Sequence, residues 1–418
     1  MQNYPLKRTQ STHQHILKSF LACVCCLLLF LTSCADATTG NSPNTSSQGS
    51  QATASKGNEN SYENTLEQQR LSKVKALISG MSLDEKIGQL IIVEYFGSDY
   101  ANTALPYMVG QQHVGGYLYQ QINHNFEYPS NTIEGAKQVV DAANKDAKIP
   151  LLIAIDQEGG VVNKLSTLFG DAPSAEDLAA TGDPNKALEA GQEDANHMQQ
   201  VGINVNLAPV VDVQTATPPL LASRTFGTDG NSVATYAGAF LNGLQKNNVI
   251  GCLKHFPGLG SLTSADDPHD TLPVVSSSMD TLQKYDLAPY KKLIATQKPA
   301  MIMSTDVITT AIDPDMPAEL SPKAIDGVLR KQLGYNGVVI TDGLYMGGLK
   351  RWGLAESAVL SIIAGNDLIE GPYTSSQVAE VVQAFKDAIQ NGRLTEKRID
   401  ESLQRILLMK LQYGIIKA

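Results

Sequence analysis

Eight short apolar runs alternate with longer amphipathic stretches along the chain from about residue 65 onward. The apolar runs read QLIIVEY, VGGYLY, PLLIAIDQE, INVNLAPVVD, VIGCLKHF, PAMIMSTD, NGVVITDG and NDLIEG. Runs that are apolar at nearly every position indicate strands buried on both faces, as in a parallel sheet. Between them lie helical patterns such as TIEGAKQVVDAANKDA, KALEAGQEDANHMQQVG, MDTLQKYDLAPYKKLI and SQVAEVVQAFKDAIQNG. Eight such units predict an α/β fold, a (β/α)8 TIM-type barrel, within a single domain.

The alternative arrangement of these units is a doubly wound open sheet. That fold is less consistent with the sequence, since no G-x-G-x-x-G motif follows the first strand. A second pattern favours the barrel, because polar residues recur where the apolar runs end. They are Asp156, Glu158, Asp212, Lys254, His255, Asp306, Asp342 and Glu370. The carboxyl ends of barrel strands meet at one face, where barrel enzymes place their sites.

The N-terminal residues have a different composition. Lys7, Arg8 and Lys18 precede the apolar run FLACVCCLLLFL, which ends in LTSC. A basic start, a short apolar core and small residues before a cysteine predict a secretory signal peptide over residues 1–33. LTSC also resembles a bacterial lipobox, which implies cleavage before Cys34 and lipidation of its thiol. We therefore expect export and a lipid anchor at the outer face of the bacterial cell membrane.

Residues 34–64 are rich in Ser, Thr, Asn, Gln and Gly, a composition that predicts a flexible tether. Residues 65–418 then form the folded domain. Of the five cysteines only Cys34 and Cys252 remain after the signal peptide, which excludes a disulfide framework. Cys252 lies in the apolar run VIGCL and is expected to be a buried packing residue. The net charge of −10 argues against a nucleic-acid partner.

Seven motifs occur in a fixed order between Met81 and Tyr413. They are MSLDEKIGQL, DQEGG, NLAPVVDV, SRTFG, KHFPG, VVITDGLYM and RIDESLQRILLMK. In this order they resemble glycoside hydrolase family 3. The segment DPHDTLP after KHFPG is similar to the β-N-acetylglucosaminidase branch, whose members carry Asp-x-His followed by Leu-Pro. Because the sequence ends soon after the eighth unit, we expect no sandwich domain of the kind that supplies the general acid in the β-glucosidase branch.

The resemblance implies a catalytic role for three residues. Retaining cleavage of a glycosidic bond needs an anionic nucleophile and a proton donor near the leaving oxygen. Asp342, after the run GVVIT, is implied as the nucleophile and His269 as the acid and base. Asp267 would orient the imidazole and fix its tautomer. The domain is thus expected to be a single catalytic barrel.

Four further residues are implied in substrate binding. They are Asp156, Arg224, Lys254 and His255, with Glu158 as a structural neighbour and Asp212 as the group that orders nearby basic residues. The expected partner is a carbohydrate, the expected state a monomer, and no cofactor or metal is expected. The implied activity is that of a retaining exo-β-N-acetylhexosaminidase acting on peptidoglycan- or chitin-type oligosaccharides.

Departures from the family pattern leave alternatives open. Many relatives have His at the position of Leu259, Ser at that of Pro268 and Arg at that of Val161. The loop before His269 is also about two residues longer than in those relatives, so that Asp266 could replace Asp267 as the carboxylate that orients His269. Another β-glycosidase, a phosphorylase in the same family and a non-catalytic sugar-binding lipoprotein are the other functional interpretations. A metal site is a further one, because mixed ligand types are gathered in one loop. Its members would be Asp266, Asp267, His269 and Asp270.

Overall fold

The structure, a computed structural model, describes residues 51–417 of the chain. Eight parallel strands form a closed barrel in chain order, with the last strand paired to the first. The strands are β1 Ile91–Glu94, β2 Gly116–Tyr119, β3 Leu152–Ile155, β4 Val205–Asn206, β5 Ile250–Phe256, β6 Met301–Ser304, β7 Val338–Gly343 and β8 Leu368–Glu370. Each strand lies within one of the eight predicted apolar runs. The (β/α)8 prediction is therefore confirmed, and closure of the ring excludes the open sheet.

Helices cover the outside of the barrel. They are α1 Gln51–Ser79, α2 Leu83–Gly88, α3 Leu105–Gly110, α4 Ile133–Asp146, α5 Ser166–Phe169, α6 Ala175–Ala180, α7 Pro184–Val201, α8 Gly230–Lys246, α9 Met279–Lys284, α10 Leu287–Gln297, a π-type helix Lys323–Gln332, α11 Leu354–Ala364, α12 Ser375–Gln390 and α13 Glu396–Gln412. Thr132 caps α4 by accepting from the backbone N–H of Gly135, and Asp229 caps α8 in the same way. These caps satisfy backbone donors that a helix start leaves free.

One predicted helix is divided in two. The pattern MDTLQKYDLAPYKKLI forms α9 and α10, with a break at Tyr285 and Asp286. Pro289 explains the break, because its ring would collide with the carbonyl of residue 285 in a continuous helix. The proline is instead accommodated in the first turn of α10, where its missing N–H is not needed.

The helix α1 crosses the boundary predicted at residue 65. Residues 51–64, the end of the predicted tether, are helical, while residues 1–50, with the predicted signal peptide and Cys34, lie outside the described residues. The sequence of α1 is rich in Ala, Glu, Gln, Lys and Leu, which favour helix. Its second half packs through Val74 and Leu77 against Leu407 and Leu411 of α13. Across residues 51–417, no helix is both long and apolar enough to cross a membrane.

The described chain from residue 59 onward is one compact unit around the barrel. Buried apolar side chains of the strands and of the surrounding helices form a continuous core, which contains Cys252 at 0% exposure, as predicted. The helices α7 and α8 approach closely at Gly191, where a Cβ would lie 2.2 Å from the carbonyl oxygen of Phe240. Glycine is required there because two backbones occupy the space of a side chain.

One charge is buried within this core. Lys410 of α13 is 0% exposed, and its Nζ donates to the backbone carbonyl of Gly115 at 3.2 Å and to Oε1 of Gln89 at 3.4 Å. Burial lowers the pKa of Lys410 to about 7. The side chain therefore loses its proton far more readily than an exposed lysine does.

The ring closes through β1 and β8. Ile91 pairs with Ile369 and Ile92 pairs with Glu370. This register brings the carboxyl end of β8 beside the carboxyl end of β1, where Glu94 is the last strand residue. Side chains at the two ends of the chain thereby become neighbours at the barrel mouth.

Candidate active site

A cavity of about 560 Å³ lies at the carboxyl ends of the barrel strands. All seven site residues predicted within the domain line it. They are Asp156, Arg224, Lys254, His255, Asp267, His269 and Asp342. The predicted residues therefore meet in one cavity, although they come from five separate segments of the sequence.

Asp342 lies in β7 with its carboxylate held from both sides. The backbone N–H of Gly343 donates to Oδ1 at 2.9 Å, and the hydroxyl of Thr305 donates to Oδ2 at 2.8 Å. The backbone N–H of Asp342 itself donates to Oε2 of Glu319 at 3.1 Å. These two donors fix the direction of the carboxyl group. The side chain of Asp342 is thus held in one orientation at the cavity wall.

Two further carboxyl groups lie beneath Asp342, outside the lining of the cavity. Asp306 and Glu319 are both 0% exposed. The strand-end position of Asp306 suggested that it would face the cavity, but it is not among the residues that line it. Burial, followed by the charge of Asp342, raises the pKa of Asp306, and burial and the charges of Asp306 and Asp342 raise the pKa of Glu319. These groups hold protons more readily than exposed carboxyls do. Glu319 lies in a short 3-10 helix, Ala318–Leu320, and carries no sequence signal that could have placed it here.

The loop after β5 carries an imidazole–carboxylate pair. Nδ1 of His269 lies 2.8 Å from Oδ1 of Asp267, which also accepts the backbone N–H of His269 at 3.0 Å. Asp266 instead accepts from the hydroxyl and the backbone N–H of Thr263. Burial opposes ionisation of Asp267, but the hydrogen bonds from His269 lower the pKa of Asp267 overall. Asp267, and not Asp266, is the carboxylate that contacts His269.

The imidazole projects into a solvated space. The side chain of His269 is 67% exposed and lines the same cavity as Asp342, while its Nδ1 is taken up by Asp267. Across residues 51–417, no group of three or more His, Cys, Asp and Glu side chains could hold a metal ion. Asp266, Asp267, His269 and Asp270 are thus not arranged as a ligand set.

Contacts with the segment after β7 fix the position of this loop. The backbone N–H of Gly347 donates to the carbonyl of His269 at 2.9 Å, and that of Gly348 donates to the carbonyl of Pro268 at 3.3 Å. A Cβ on Gly347 would lie 2.5 Å from the carbonyl group of Asp270. Only glycine allows the two backbones to lie so close. The segment that follows Asp342 therefore also supports His269.

A buried ion network occupies the opposite wall. Nζ of Lys254 lies 2.5 Å from Oδ1 of Asp156 and 2.7 Å from Oε1 of Glu158. Arg224 donates two hydrogen bonds to Glu158, at 2.8 Å and 2.9 Å. Burial opposes ionisation of Glu158, but the charges of Lys254 and Arg224 outweigh it and hold its pKa well below its usual range. Glu158 thus anchors both cations, which agrees with its predicted structural role.

Asp212 orders the neighbouring loop. Its Oδ2 lies 2.8 Å from Nδ1 of His255, and its Oδ1 accepts the backbone N–H of Leu259 at 2.7 Å. Asp212 therefore holds the imidazole of His255, which lines the cavity. The predicted role of Asp212 is confirmed.

Several residues of the cavity were not predicted as site residues. Glu94 and Glu370 line it at the β1–β8 side, and Phe96, Tyr345 and Tyr373 form an aromatic rim there. The ring of Tyr373 stands edge-to-face to Phe96 at 5.9 Å and to Tyr345 at 6.3 Å between centroids. Glu94 is the last residue of β1, as Glu370 is the last residue of β8. The position of Glu94 at the end of an apolar run could therefore have predicted that it lies in the site.

Comparison with known families gives a match over most of the chain. The model described as "Glycosyl hydrolase family 3 N terminal domain" matches residues 82–409. Beta-hexosaminidase LpqI of Mycobacterium tuberculosis is 31% identical over 339 residues, which cover 79% of this chain and 83% of LpqI.

Solved structures show the same relationship. A glycoside hydrolase family 3 beta-N-acetylglucosaminidase from Paenibacillus sp. str. FPU-7 superposes with a TM-score of 0.76 at 31% identity, and the match covers 81% of this chain and 64% of that structure. A beta-glucoside phosphorylase, BglX, has a TM-score of 0.71 at 26% identity, with 83% of this chain and 60% of that structure covered. The chain therefore spans somewhat less than two thirds of each of these two structures.

Proposed function

Because this chain belongs to glycoside hydrolase family 3, we propose that it is a retaining exo-β-N-acetylhexosaminidase that removes terminal β-linked N-acetylglucosamine from oligosaccharides. The observation that carries the proposal is the His269–Asp267 pair on a loop over the cavity that contains Asp342. One anion and one proton donor in a single cavity are what retaining cleavage requires. The similarity to a beta-hexosaminidase, LpqI, and to the Paenibacillus beta-N-acetylglucosaminidase supports the choice of sugar.

The proposed reaction has two steps. Asp342 attacks the anomeric carbon and forms a glycosyl ester, while the glycosidic C–O bond breaks and His269 gives its proton to the leaving oxygen. A water then attacks the same carbon from the opposite side of the ester, His269 takes the proton of that water, and Asp342 is released. Each step inverts the anomeric centre, so the product keeps the β configuration. Asp267 stabilises the imidazolium form in which His269 starts the cycle.

The sugar would be held at the wall opposite Asp342. Asp156 and His255 present hydrogen-bonding atoms to the cavity, and Lys254 and Arg224 line it as donors. The ion network of Glu158 keeps these groups in place before the ligand arrives. Preorganised donors lose less entropy on binding than mobile side chains do.

Hydrolysis is favoured over phosphorolysis by the charges of the cavity. Six carboxyl groups line it against three Lys and Arg cations and two imidazoles, namely Glu94, Asp156, Glu158, Asp267, Asp342 and Glu370 against Lys164, Arg224 and Lys254, with His255 and His269. Two of the three cations are already held by carboxylates. An incoming phosphate would meet net negative charge, whereas water is indifferent to it. Rates that do not change when phosphate is added would support hydrolysis.

Export with a lipid anchor at Cys34 completes the proposal. It rests on the basic, apolar and LTSC segments of the sequence and on a relative whose name describes it as a secreted glycosyl hydrolase. Mass spectrometry of the membrane fraction should find a mature N-terminus at lipid-modified Cys34. An intact Met1 in the soluble fraction would contradict the anchor.

The proposed activity is tested with 4-nitrophenyl β-glycosides and a trapping reagent. We expect the N-acetylglucosaminide to be cleaved in preference to the glucoside, with the β-anomer as the first product by NMR. A slowly turned-over fluorinated sugar should leave an adduct on the peptide that contains Asp342, and Asp342→Ala should abolish both turnover and labelling. An adduct on Asp156 would overturn the assignment of the nucleophile. Absence of cleavage of every β-glycoside would instead favour a sugar-binding protein.

A further inference from the structure

Two carboxyl groups at the cavity mouth have no part in the proposed mechanism. Glu94 and Glu370 end the adjacent strands β1 and β8, are 6% and 3% exposed, and both line the cavity. No donor from the described part of the chain reaches Oε1 of either group. A buried carboxyl oxygen without a donor is costly, which points to a ligand that supplies one.

The two groups depend on each other in the empty cavity. Oε2 of Glu94 accepts from Nδ2 of Asn123 at 2.6 Å, which fixes one oxygen of this carboxyl group. Burial, followed by the charges of Glu94, Asp342 and Asp156, raises the pKa of Glu370 well above its usual range. Glu370 therefore holds a proton more readily than an exposed carboxyl group does, and the neighbouring Glu94 is a carboxyl group with which it can share that proton.

The β1–β8 side of the cavity, called here the acidic sector, differs in charge from the wall that contains Asp156 and Glu158. There, Asp156 and Glu158 are balanced by Lys254 and Arg224. The charged groups that raise the pKa of Glu370, namely Glu94, Asp342 and Asp156, are all acidic. The charge of Glu370 and then burial raise the pKa of the Tyr345 phenol, which therefore stays un-ionised. The surplus negative charge of the cavity is therefore concentrated at the β1–β8 side.

Aromatic rings surround the same sector. Phe96 and Tyr345, which are 55% and 43% exposed, both stand edge-to-face to Tyr373. The faces of such rings attract cations, and their apolar surfaces pack against sugar rings. Carboxyl groups and aromatic rings that line the same side of the cavity form a setting for a positively charged ligand group.

We propose that Glu94 and Glu370 form a subsite for the protonated free amine of an amino sugar, so that the cavity accepts partly N-deacetylated aminoglycan oligosaccharides in addition to acetylated ones. The inference rests on the proposed glycosidase function, whose substrate class it extends. An ammonium group carries three donors, so it can donate to more than one oxygen of this carboxyl pair. It also brings the positive charge that the shared proton supplies in the empty cavity. A neutral hydroxyl brings a donor but no charge, and an acetamido nitrogen brings only one donor.

The test is direct binding of three monosaccharides to the full-length protein by calorimetry at pH 6. Glucosamine, glucose and N-acetylglucosamine differ only at carbon 2. We expect glucosamine to bind about tenfold or more tightly than glucose, as hydrogen bonds to charged groups commonly contribute. We also expect glucosamine, but not glucose, to release protons, measured in two buffers of different ionisation enthalpy.

Variants locate the effect. Glu94→Gln with Glu370→Gln should remove the preference for glucosamine over glucose, while Glu176→Gln, at an exposed helical position away from the cavity, should keep it. If circular dichroism shows that the double variant does not fold, Glu94→Gln and Glu370→Gln are measured separately. Equal binding of glucosamine and glucose by the wild-type protein would overturn the inference, and so would a preference that survives in the double variant.

The outcomes separate this inference from the proposed function. Cleavage of an aryl β-N-acetylglucosaminide without any preference for glucosamine would leave the glycosidase proposal standing and overturn only the amine subsite. A preference for glucosamine without cleavage of any β-glycoside would support the subsite and contradict the glycosidase proposal.

Discussion

At the scale of single residues, His269 offers the sharpest test of the chemistry. If it protonates the leaving oxygen, His269→Ala should slow hydrolysis of a natural disaccharide far more than that of an aryl glycoside with a good leaving group. General acid–base assistance is typically ~10²–10⁴-fold, and we expect the loss on the disaccharide to lie in that range. Steady-state kinetics on the two substrates measure it. Equal losses on both would instead indicate a role in binding or folding.

The neighbouring carboxylates provide a matched pair of variants. Asp267→Ala removes the group 2.8 Å from Nδ1 of His269 and should show a milder form of the same substrate dependence, because the imidazole itself remains. Asp266→Ala is the control, since that carboxylate accepts from Thr263 and does not contact His269. We expect near wild-type kinetics for it on both substrates. A larger loss in Asp266→Ala than in Asp267→Ala would contradict the observed pairing.

At the scale of elements, the contact between two loops determines where the acid lies. Gly347→Ala would place a methyl group 2.5 Å from the carbonyl of Asp270 and 2.6 Å from that of His269, so the loop after β5 must shift. Displacement of a catalytic group by about 1 Å can cost about 10²-fold in rate. We expect kcat on the disaccharide to fall by at least tenfold with little change in thermal stability. Gly110→Ala, with nothing within 4 Å of its Cβ, is the control.

Failure of Gly347→Ala to change kcat would show that the loop reaches its working position without this contact. A matching loss of melting temperature would indicate a folding defect instead. Activity on an aryl glycoside with a good leaving group should be retained better than activity on the disaccharide, because that substrate needs less protonation.

Much of the site could be predicted at this scale, and the exceptions have identifiable causes. Strand-end positions identify Asp156, Lys254 and Asp342, because in a barrel the strand period and the common direction of the strands fix where these side chains meet. Glu319 reaches Asp342 from a short 3-10 helix between β6 and β7, and the position of such a turn depends on contacts that no local pattern encodes. The choice between Asp266 and Asp267 likewise depended on a turn, here the one closed by Thr263. The break before Pro289, in contrast, was readable from the sequence.

At the scale of the whole molecule, a buried lysine controls part of the stability. The pKa of Lys410 is about 7 in the folded state and about 10.4 in an unfolded chain. Between these values the unfolded chain binds more protons, so this residue makes the free energy of unfolding rise with pH across that window. Below about pH 7 both states are charged, and the cost of burying the charge is present in full.

Lys410→Met should therefore be more stable than the wild type at pH 6, by an amount on the order of a few kcal/mol. The difference between the two proteins should shrink toward pH 9, where the folded wild type no longer carries the charge. Urea unfolding at both pH values measures it, with the exposed Lys246→Met as the control. A difference that does not depend on pH would show that Lys410 stays neutral or stays solvated in the fold.

The closure of the barrel by β1 and β8 has a consequence for biosynthesis. A ribosome delivers β1 near the start of the domain and β8 near its end, so the pairing of Ile91 with Ile369 is among the last that the growing chain can make. Until then β1 presents an unpaired edge, and nascent chains with open edges depend on chaperones to avoid aggregation. A nonsense mutation between β7 and β8 would leave Asp342 and His269 in the product but no closed ring. A stop codon anywhere before β8, even one just ahead of it, should thus yield inactive protein rather than a weaker enzyme.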